Sequence, residues 1–268
     1  MSNSQPLVSV IMGIYNCADT LAESLDSLLV QTYQNFEIIM CNDGSTDNTF
    51  EIAKQYNDKY PDRIVLIENA KNMGLNYTLN HCLEYCKGEY IARMDGDDIS
   101  LPLRFEKEVS FLDEHPEYAI VSTPMIHFDE NGDFKSCQGN GEPKVSTLAK
   151  GTPFCHAPCM VRKEAYDAVF GYDVDSKKMR VEDWDLWIRM YSKGYKGYNL
   201  QEPMYKMRDD KNAFSRRKFK LRINEARMTI QAVKLLKLSP VNYIYVLRPI
   251  LVGMLPKYIY KILHLLKK

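Results

Sequence analysis

The stretch that decides the fold is Glu89-Tyr-Ile-Ala-Arg-Met94 followed directly by Asp95-Gly-Asp-Asp98. The first part is apolar and β-prone, which predicts a buried strand. The second part places three carboxylates within four residues, beyond the carboxyl end of that strand, where open parallel sheets bind their ligands. Repulsion among these carboxylates would be costly without a nearby cation or hydrogen-bond donors. The sequence therefore predicts a positive group or a metal ion at this loop.

Three earlier β-prone runs, each followed by a helical pattern, extend the same arrangement toward the N-terminus. They cover residues 7–12, 36–41 and 63–68, and the helical patterns cover about 21–29, 50–60 and 75–86. The first helical pattern is preceded by Thr20-x-x-Glu23, which predicts a capping box. This alternation is typical of βαβ units and predicts an α/β fold with a mostly parallel, Rossmann-like sheet flanked by helices. The loops at 13–16, 42–47, 69–74 and 95–100 would then meet at one edge.

The pattern is less regular after residue 101. It predicts a helix at about 103–114, a strand near 119–123 and a tight hairpin turn at Asn131-Gly132. The turn-rich stretch 143–154 suggests a mobile loop, and a helix at about 182–193 precedes strand-like stretches at 195–200 and 204–208. The remaining patterns, at 214–236 and 241–266, predict a C-terminal helical extension.

The net charge of zero hides an asymmetry along the chain. From Lys206 onward there are 16 Lys/Arg against 3 Asp/Glu, which leaves 19 against 32 in residues 1–205. The acidic body argues against binding to nucleic acid, whereas the basic, apolar extension 211–268 suits an anionic membrane surface. The alternatives for this extension are a solvated basic helix, packing on the body, or a homodimer contact.

The seven cysteines form an odd set, and no secretory apolar region precedes Leu7. The simplest expectation is therefore a protein of the reducing cytoplasm with free thiols. Peripheral attachment to the inner face of the cell membrane is compatible with this location. Cys155-His156-x-x-Cys159 lacks the spacing of a zinc knuckle. The apolar run 241–255 is interrupted by Arg248-Pro249 and is shorter than a bilayer span.

The acidic loop suits a hard divalent ion, because Mg²⁺ and Mn²⁺ take oxygen ligands and are often held by one or two carboxylates together with substrate phosphates. A calcium loop of the EF-hand type fails, since Ser100 stands where that loop needs glycine. A solvated turn is the open alternative. After the second strand, Asp43-Gly-Ser-Thr-Asp47 offers a carboxylate suited to a nucleobase imide, or simply a turn with a helix cap.

Five segments together resemble, in order and spacing, family 2 glycosyltransferases of the GT-A fold. The resemblance covers about residues 6–205 and rests on the following segments: Val8-Ser-Val-Ile-Met-Gly-Ile-Tyr-Asn16; Asn42-Asp-Gly-Ser-Thr-Asp47; Asn72-x-Gly-Leu75 with Asn80; Gly88-Glu-Tyr-Ile-Ala-Arg-Met-Asp-Gly-Asp-Asp-Ile-Ser-x-Pro102; and Glu182-Asp-Trp-Asp-Leu-Trp187.

The resemblance implies a UDP-sugar donor and a metal, Mn²⁺ or Mg²⁺. Tyr15 and Asp43 would contact the uracil, and Asp97 would ligate the metal. Asp95 would lie on the ribose or metal side, and Arg93 would lie near the pyrophosphate or form a structural ion pair. Asp98 has no assigned role. The other residues implied to line the donor site are Gly13, Asn16, Asn72, Gly74, Leu75 and Asn80.

The resemblance also implies that Asp183 is the base that deprotonates the acceptor hydroxyl, which would give inversion at the anomeric carbon; a helix cap is the alternative role. Glu182, Trp184 and His156 are candidate acceptor contacts, and His156 could instead be a core or capping histidine. Because no Q-x-x-R-W segment is present, transfer of one hexose or N-acetylhexosamine is favoured over processive synthesis. The acceptor would be a glycan or a lipid-linked glycan of a bacterial surface polysaccharide.

These roles divide the chain into a nucleotide-sugar-binding half at 1–100, an acceptor-binding half at 101–210 and the basic extension at 211–268. Three other functions compete with this interpretation. A glycoside hydrolase would also use two carboxylates but needs no nucleotide site. A nucleotidyltransferase would normally show a Gly-rich basic loop early in the chain, and 13–19 is not such a loop. The third is a non-catalytic module that binds a nucleotide sugar.

Overall fold

The computed structural model describes residues 5–136, 139–209 and 219–254. The chain divides into two compact units, each of which is built from separate stretches of sequence. The first unit comprises Met1–Pro143, Phe154–Val174 and Lys193–Asp209. The second comprises Lys144–Pro153, Asp175–Ser192 and Asp210–Lys268.

The first unit is built on a central sheet whose first four strands are parallel and were all predicted. Three of these strands are completely or almost completely buried because helices flank the sheet, which explains why they are mostly apolar on both faces; the third strand in chain order is only partly buried. The strands are β1 (Val8–Ile14), β2 (Phe36–Asn42), β3 (Ile64–Glu68) and β4 (Tyr90–Arg93). The helices between them are α1 (Ala18–Leu29), α2 (Thr49–Lys59) and α3 (Leu75–Leu83).

Three further strands complete a seven-stranded sheet, and one of them was not predicted. After β5 (Ile99–Ser100) and α4 (Arg104–Glu114), β6 (Ile120–Ser122) follows in the chain. The unpredicted strand, Met160–Arg162, runs antiparallel between β4 and β6. With only three residues it shows no alternation that a sequence pattern could detect. A further strand, Gly197–Asn199, pairs with β6 at the edge of the sheet.

A second sheet of four strands brings a late segment of the chain to the acidic loop. β7 (Met125–Asp129) and β8 (Gly132–Ser136) form the hairpin that Asn131-Gly132 predicted. Numbered in chain order, Met160–Arg162 is β9, Gly197–Asn199 is β10 and Tyr205–Arg208 is β11. β11 pairs with β7 and with β5, which directly follows the acidic residues. This pairing holds β11 beside the end of β4.

The second unit is helical over its described residues. After α5 (Lys163–Asp167) in the first unit, the chain forms α6 (Glu182–Ser192), α7 (Phe219–Leu235) and α8 (Leu247–Met254). Three 3₁₀ helices, at Val145–Ala149, Ser176–Lys178 and Pro240–Val246, complete it. The helical patterns predicted at 214–218 and 255–266 lie outside the described residues.

One local prediction was incomplete and one was wrong. The stretch 143–154 is turn-rich as predicted but also contains a 3₁₀ helix, which buries Leu148 and Ala149 and is held by hydrogen bonds from α6 and α7. Thr20 is not an N-cap, since α1 already begins at Ala18 and the Thr20 hydroxyl instead donates to the Gly96 carbonyl oxygen at 2.9 Å.

Among the described residues, every helix is too short or too polar to span a bilayer.

Candidate active site

Each of the three carboxylates in the acidic loop has a different environment. Asp95 forms an ion pair with Arg93, whose Nη2 lies 2.6 Å from Asp95 Oδ1. The Arg93 side chain is only 7% exposed, and a buried cation of this kind needs such a partner. Arg93 therefore supplies one of the positive groups that the sequence predicts at this loop.

Asp98 belongs to the framework of the loop. It is 2% exposed, and its Oδ1 accepts a hydrogen bond from the backbone N–H of Arg208 at 2.9 Å. The buried hydroxyl of Tyr205 also bonds to this carboxylate and accepts the backbone N–H of Asp95 at 3.3 Å. Burial, followed by the charges of Asp95 and Asp97, raises the pKa of Asp98 to about 8. Asp98, left without a role by the sequence, thus fastens β11 to the loop.

Asp97 is the exposed member of the three. Among the residues that the structure describes, no other residue donates a hydrogen bond to its carboxylate. Desolvation, and then the charge of Asp95, raises the pKa of Asp97. Positive charge nearby would offset the repulsion between the two carboxylates. Arg208 supplies some of that charge, because its Nε donates to the Asp97 carbonyl oxygen at 2.9 Å and its guanidinium also pairs with Glu23.

The carboxylate of Asp43 holds the loop that opens α3. Asp43 is 4% exposed; its Oδ1 accepts from the Met73 N–H and from Asn69 Nδ2, both at 2.8 Å, and its Oδ2 accepts from the Gly74 N–H at 2.9 Å. A carboxylate has about four acceptor positions, so one remains on Oδ2 for a ligand. Gly44 is required beside it, because a Cβ there would lie 2.8 Å from the Asn72 backbone nitrogen.

The loop after β1 lies against the loop after β2. The Asn16 Oδ1 accepts from the Thr46 N–H at 2.8 Å, and the Asn16 N–H donates to Ser45 Oγ at 3.1 Å. Tyr15 beside it is 48% exposed, so its ring can still meet a flat ligand. Gly13 permits close packing of α3 on β1, since a Cβ there would lie 3.2 Å from a methyl group of Thr78.

Replacing Asp43 with asparagine is expected to destabilise the loop that opens α3. The new amide must turn its NH₂ toward either the Gly74 N–H or the two donors on Oδ1, so at least one donor loses its partner. Losing a hydrogen bond to a buried charged group costs about 1.5–3 kcal/mol, and we expect the free energy of unfolding to fall by about 2 kcal/mol. Denaturant unfolding measures this. The exposed Asp58→Asn is the control, and an equal effect in both variants would contradict the role of Asp43.

The other residues predicted to line the donor site are divided between exposed and structural positions. Asn72 is exposed, and Gly74 (φ 87°) and Leu75 are half-buried at the start of α3. Both ends of the Asn80 amide bind the backbone of Tyr172, at 2.8 and 2.7 Å. Asn80 therefore holds the turn at 171–172 in place, and its contact with a donor stays a prediction.

His156 forms a chain of polar contacts with two tyrosines. Its Nε2 is 2.8 Å from the Tyr172 hydroxyl, which in turn lies 3.0 Å from the Tyr166 hydroxyl. Burial, and then the charge of Arg93, holds the pKa of His156 well below its usual value. A neutral imidazole beside a buried arginine can accept or donate a hydrogen bond but adds no charge.

The Glu182-Asp183 pair opens α6 in the second unit, and both residues are half-buried. The Asp183 Oδ1 accepts the N–H of Trp184 at 2.8 Å. Trp184 is buried, and its indole N–H donates to the Leu148 carbonyl oxygen at 2.7 Å. Trp184 therefore anchors the helix that carries Asp183, while its acceptor contact, like that of Glu182, stays a prediction.

A buried ionic cluster two residues after Asp183 joins α6 to α7. Asp185 is 1% exposed and binds Lys178 at 2.5 Å, Arg189 at 2.7 Å and Gln231 Nε2 at 2.8 Å. Burial opposes the charge of Asp185, but Arg189, Lys178 and Gln231 together lower its pKa. Because Gln231 lies on α7, the C-terminal extension is part of the framework around Asp183.

Asp185→Ala is expected to lower the free energy of unfolding by about 3–5 kcal/mol, because it removes the buried carboxylate that binds two half-buried cations, Lys178 and Arg189. The lowered pKa of Asp185 also fixes the direction in which stability changes with pH. The stabilisation by Asp185 is complete at pH values above the pKa of an unfolded aspartate, and it is lost as the pH falls through the lower pKa of the folded state. Denaturant unfolding at several pH values measures both effects.

Asp58→Ala removes the exposed pair of Asp58 with Lys54 and serves as the control, with an expected change below about 0.5 kcal/mol. Equal losses in the two variants would contradict the framework role of Asp185.

Sequence patterns missed several of the residues that organise this site. Arg208 and Tyr205 lie more than 100 residues along the chain from their partners in the acidic loop, and the pairing of β11 with β5 and β7 brings them there. Gln231 reaches Asp185 across 46 residues. The one sequence feature that could have indicated these residues is their position as single polar residues within otherwise apolar stretches.

The sequence profile of the family described as Glycosyl transferase family 2 matches residues 9–170. EpsE of Bacillus subtilis, which carries the name of a glycosyltransferase, is 50% identical over 254 residues, covering 95% of this chain and 91% of EpsE. WfaP of Escherichia coli is 32% identical over 195 residues, covering 72% of this chain and 73% of WfaP. WfaP is named a UDP-Glc:alpha-D-GlcNAc-diphosphoundecaprenol beta-1,3-glucosyltransferase.

Two solved structures share the fold. S. aureus TarS 1–349, in complex with UDP-GlcNAc, aligns with a TM-score of 0.71 at 19% identity, covering 92% of this chain and 72% of that one. The mannosyltransferase PcManGT from Pyrobaculum calidifontis, in complex with GDP-Man and Mn²⁺, aligns with a TM-score of 0.65 at 20% identity, covering 95% and 72%. The predicted GT-A fold is confirmed. Because the family profile covers more than half of the chain and EpsE matches nearly all of it, the chain is a glycosyltransferase and belongs to family 2.

Proposed function

We propose that the chain moves one hexose or N-acetylhexosamine from a UDP-sugar to an acceptor hydroxyl, with inversion at the anomeric carbon. One observation supports the proposed site for the UDP-sugar. The adjacent strands β2, β1 and β4 end in a buried carboxylate with an acceptor position to spare, an exposed tyrosine and an exposed carboxylate; these residues are Asp43, Tyr15 and Asp97.

This set matches the parts of a uridine diphosphate. The remaining acceptor position of Asp43 would take the uracil imide N–H, and the Tyr15 ring would lie on the base. Asn16, Gly13, Asn72, Gly74 and Leu75 would line the same site. Arg93 and Arg208 would bring positive charge to the diphosphate side. The UDP-GlcNAc complex of TarS and the UDP-Glc in the name of WfaP support a uridine donor.

We also propose a divalent ion, Mn²⁺ or Mg²⁺, at the acidic loop. Within the described ranges, no group of three or more His, Cys, Asp or Glu side chains is placed to hold a metal by itself. That suits an ion held by one or two carboxylates plus the donor's phosphates. Asp97 would be the ligand, with Asp95 beside it. When bound, such an ion neutralises charge on the leaving diphosphate. PcManGT, solved with Mn²⁺, supports this choice.

Asp183 would act as the general base. The acceptor oxygen forms its bond to the anomeric carbon while the bond from that carbon to the diphosphate oxygen breaks, and the electron pair leaves with UDP. The proton of the acceptor hydroxyl passes to the Asp183 carboxylate. One displacement at the anomeric carbon inverts its configuration. Glu182 and His156 are the proposed acceptor contacts, and Trp184 would act mainly by anchoring α6.

The acceptor that we propose is a lipid-linked glycan used in bacterial surface-polysaccharide synthesis. WfaP, with its diphosphoundecaprenol acceptor, supports this class. The residues that we propose for the donor lie in 1–100, apart from Arg208, and those that we propose for the acceptor lie in 101–210.

Thermal protection by a panel of nucleotides tests the donor. A ligand that binds only the folded state raises its stability, by about 2.7 kcal/mol at a concentration 100 times its Kd. We expect UDP and UDP-sugars with Mn²⁺ to raise the melting temperature, and Asp43→Asn to abolish the shift. Protection by GDP-mannose and not by any uridine nucleotide would contradict the UDP assignment.

A further inference from the structure

The described C-terminal residues carry a continuous row of exposed apolar side chains. Two geometries meet there, the 3₁₀ helix Pro240–Val246 and α8. In the 3₁₀ helix the apolar residues are spaced by three, which is the period of that helix. In α8 they are spaced by four and then three, which keeps them on one face of an α-helix. We call this set the apolar row: Val241 (71% exposed), Ile244 (61%), Leu247 (54%), Leu251 (61%) and Met254 (70%).

The same two helices are fixed to the rest of the second unit by other side chains. Pro249 is buried, and the Lys150 ammonium lies 5.1 Å from the centre of the Tyr245 ring. The guanidinium of Arg248 donates to the Lys150 carbonyl oxygen at 3.4 Å. A Cβ on Gly253 would lie 2.8 Å from the Phe219 ring, so α8 packs closely on α7. The apolar row is therefore presented by helices that the protein already holds in place.

The charge around the row identifies its partner. From Ala226 to the last residue of the sequence there are 8 Lys/Arg and no Asp or Glu. In the described part, Lys234, Lys237 and Arg248 are exposed. A second copy of this face would bring the same positive charge, which disfavours self-association. An apolar face in a stretch of sequence whose charged residues are all basic is the pattern of helices that lie in the interface of an anionic membrane.

We propose that the apolar row inserts into the surface of an anionic phospholipid leaflet, with the neighbouring lysines and arginines on the head groups. This inference goes beyond the proposed sugar transfer and does not depend on it, because membrane binding can be measured without donor or acceptor. It also refines the membrane surface predicted for 211–268, since it names the described residues that would enter the lipid.

Removing the whole extension would be a poor test, because Asn224, Thr229 and Gln231 of α7 bind the backbone or side chains of the second unit. Substitutions in the exposed row avoid that damage. The test variant is Ile244→Gln/Leu247→Gln/Leu251→Gln in the full chain. The matched control replaces three exposed apolar residues outside the row, Val30→Gln/Phe170→Gln/Val174→Gln. Thermal unfolding should show that both triple variants remain folded.

Binding is measured by co-sedimentation with vesicles of phosphatidylcholine, with and without phosphatidylglycerol. We expect the wild type and the control to bind the anionic vesicles, and high salt to weaken that binding. The row variant should bind at least about tenfold more weakly, because three inserted side chains are lost. Equal binding by the row variant, or no binding by the wild type, would overturn the proposal.

Sedimentation equilibrium separates lipid binding from self-association. A wild-type dimer that the row variant converts to a monomer would overturn the lipid assignment in favour of a contact between copies. UDP release with a water-soluble acceptor should be the same in the wild type and the row variant. If the wild type binds vesicles and transfers no sugar, the proposed function fails and the membrane inference stands.

Discussion

Asp183→Asn is expected to lower the rate of sugar transfer by about 10²- to 10⁴-fold, the usual contribution of a positioned general base. The asparagine Oδ1 can still accept the Trp184 N–H, so the start of α6 should keep its geometry. The variant should therefore bind the UDP-sugar as the wild type does, with the loss confined to the catalytic rate constant. Initial rates of transfer together with donor titration by calorimetry measure the two effects separately.

Glu51→Gln is the matched control, since Glu51 is an exposed carboxylate in the first turn of α2 and has no assigned role. Its transfer rate should equal that of the wild type. Full activity of Asp183→Asn would exclude Asp183 as the base. Donor binding by the wild type, with no transfer to any acceptor, would favour a module that only binds nucleotide sugars.

Asp97→Asn is expected to lower transfer by at least about 100-fold, a loss of about 2.7 kcal/mol of transition-state stabilisation. The reason is that Asp97 offers the exposed carboxylate of the acidic loop, whereas Asp95 is paired with Arg93 and Asp98 is buried against β11. An amide binds a divalent ion more weakly than a carboxylate does. Transfer rates across a series of Mn²⁺ concentrations measure the effect.

Removal of divalent ions from the wild type with a chelator should produce a comparable loss that Mn²⁺ or Mg²⁺ restores. In Asp97→Asn the same addition should restore little. Activity that survives chelation unchanged would show that the arginines alone neutralise the diphosphate. Equal responses of the variant and the wild type to metal would exclude Asp97 as a ligand.

Local patterns were sufficient for the donor half of the fold. The strands β1 to β4 are mostly apolar because helices cover the sheet, so they could be identified before the structure was known. The polar loops that follow them therefore gather at one edge of the sheet, and Asp43 and Asp97 were located correctly on this edge. What the sequence could not show was which carboxylates are already occupied, because Asp43 and Asp98 are bound by residues from other loops and strands.

The rest of the fold depends on contacts between residues that are far apart in the sequence. The three residues of β9 are too few for a pattern, and they become a strand only because β4 and β6 each offer an open edge. The turn-rich stretch 143–154 becomes ordered because Trp184 and Thr229 donate to its carbonyl oxygens. Such contacts depend on residues 30 to 80 positions away, which local periodicity does not register.

The proposed transfer of one sugar with inversion is tested most directly by proton NMR. The experiment follows transfer from a UDP-sugar to a lipid-diphosphate glycan acceptor, with Mn²⁺ present. We expect one sugar to be added per acceptor, one UDP to be released, and a new glycosidic bond of the opposite anomeric configuration to the donor. Retention of the donor configuration would contradict a single displacement assisted by Asp183. Failure of every UDP-sugar to serve as a donor would contradict the proposed function itself.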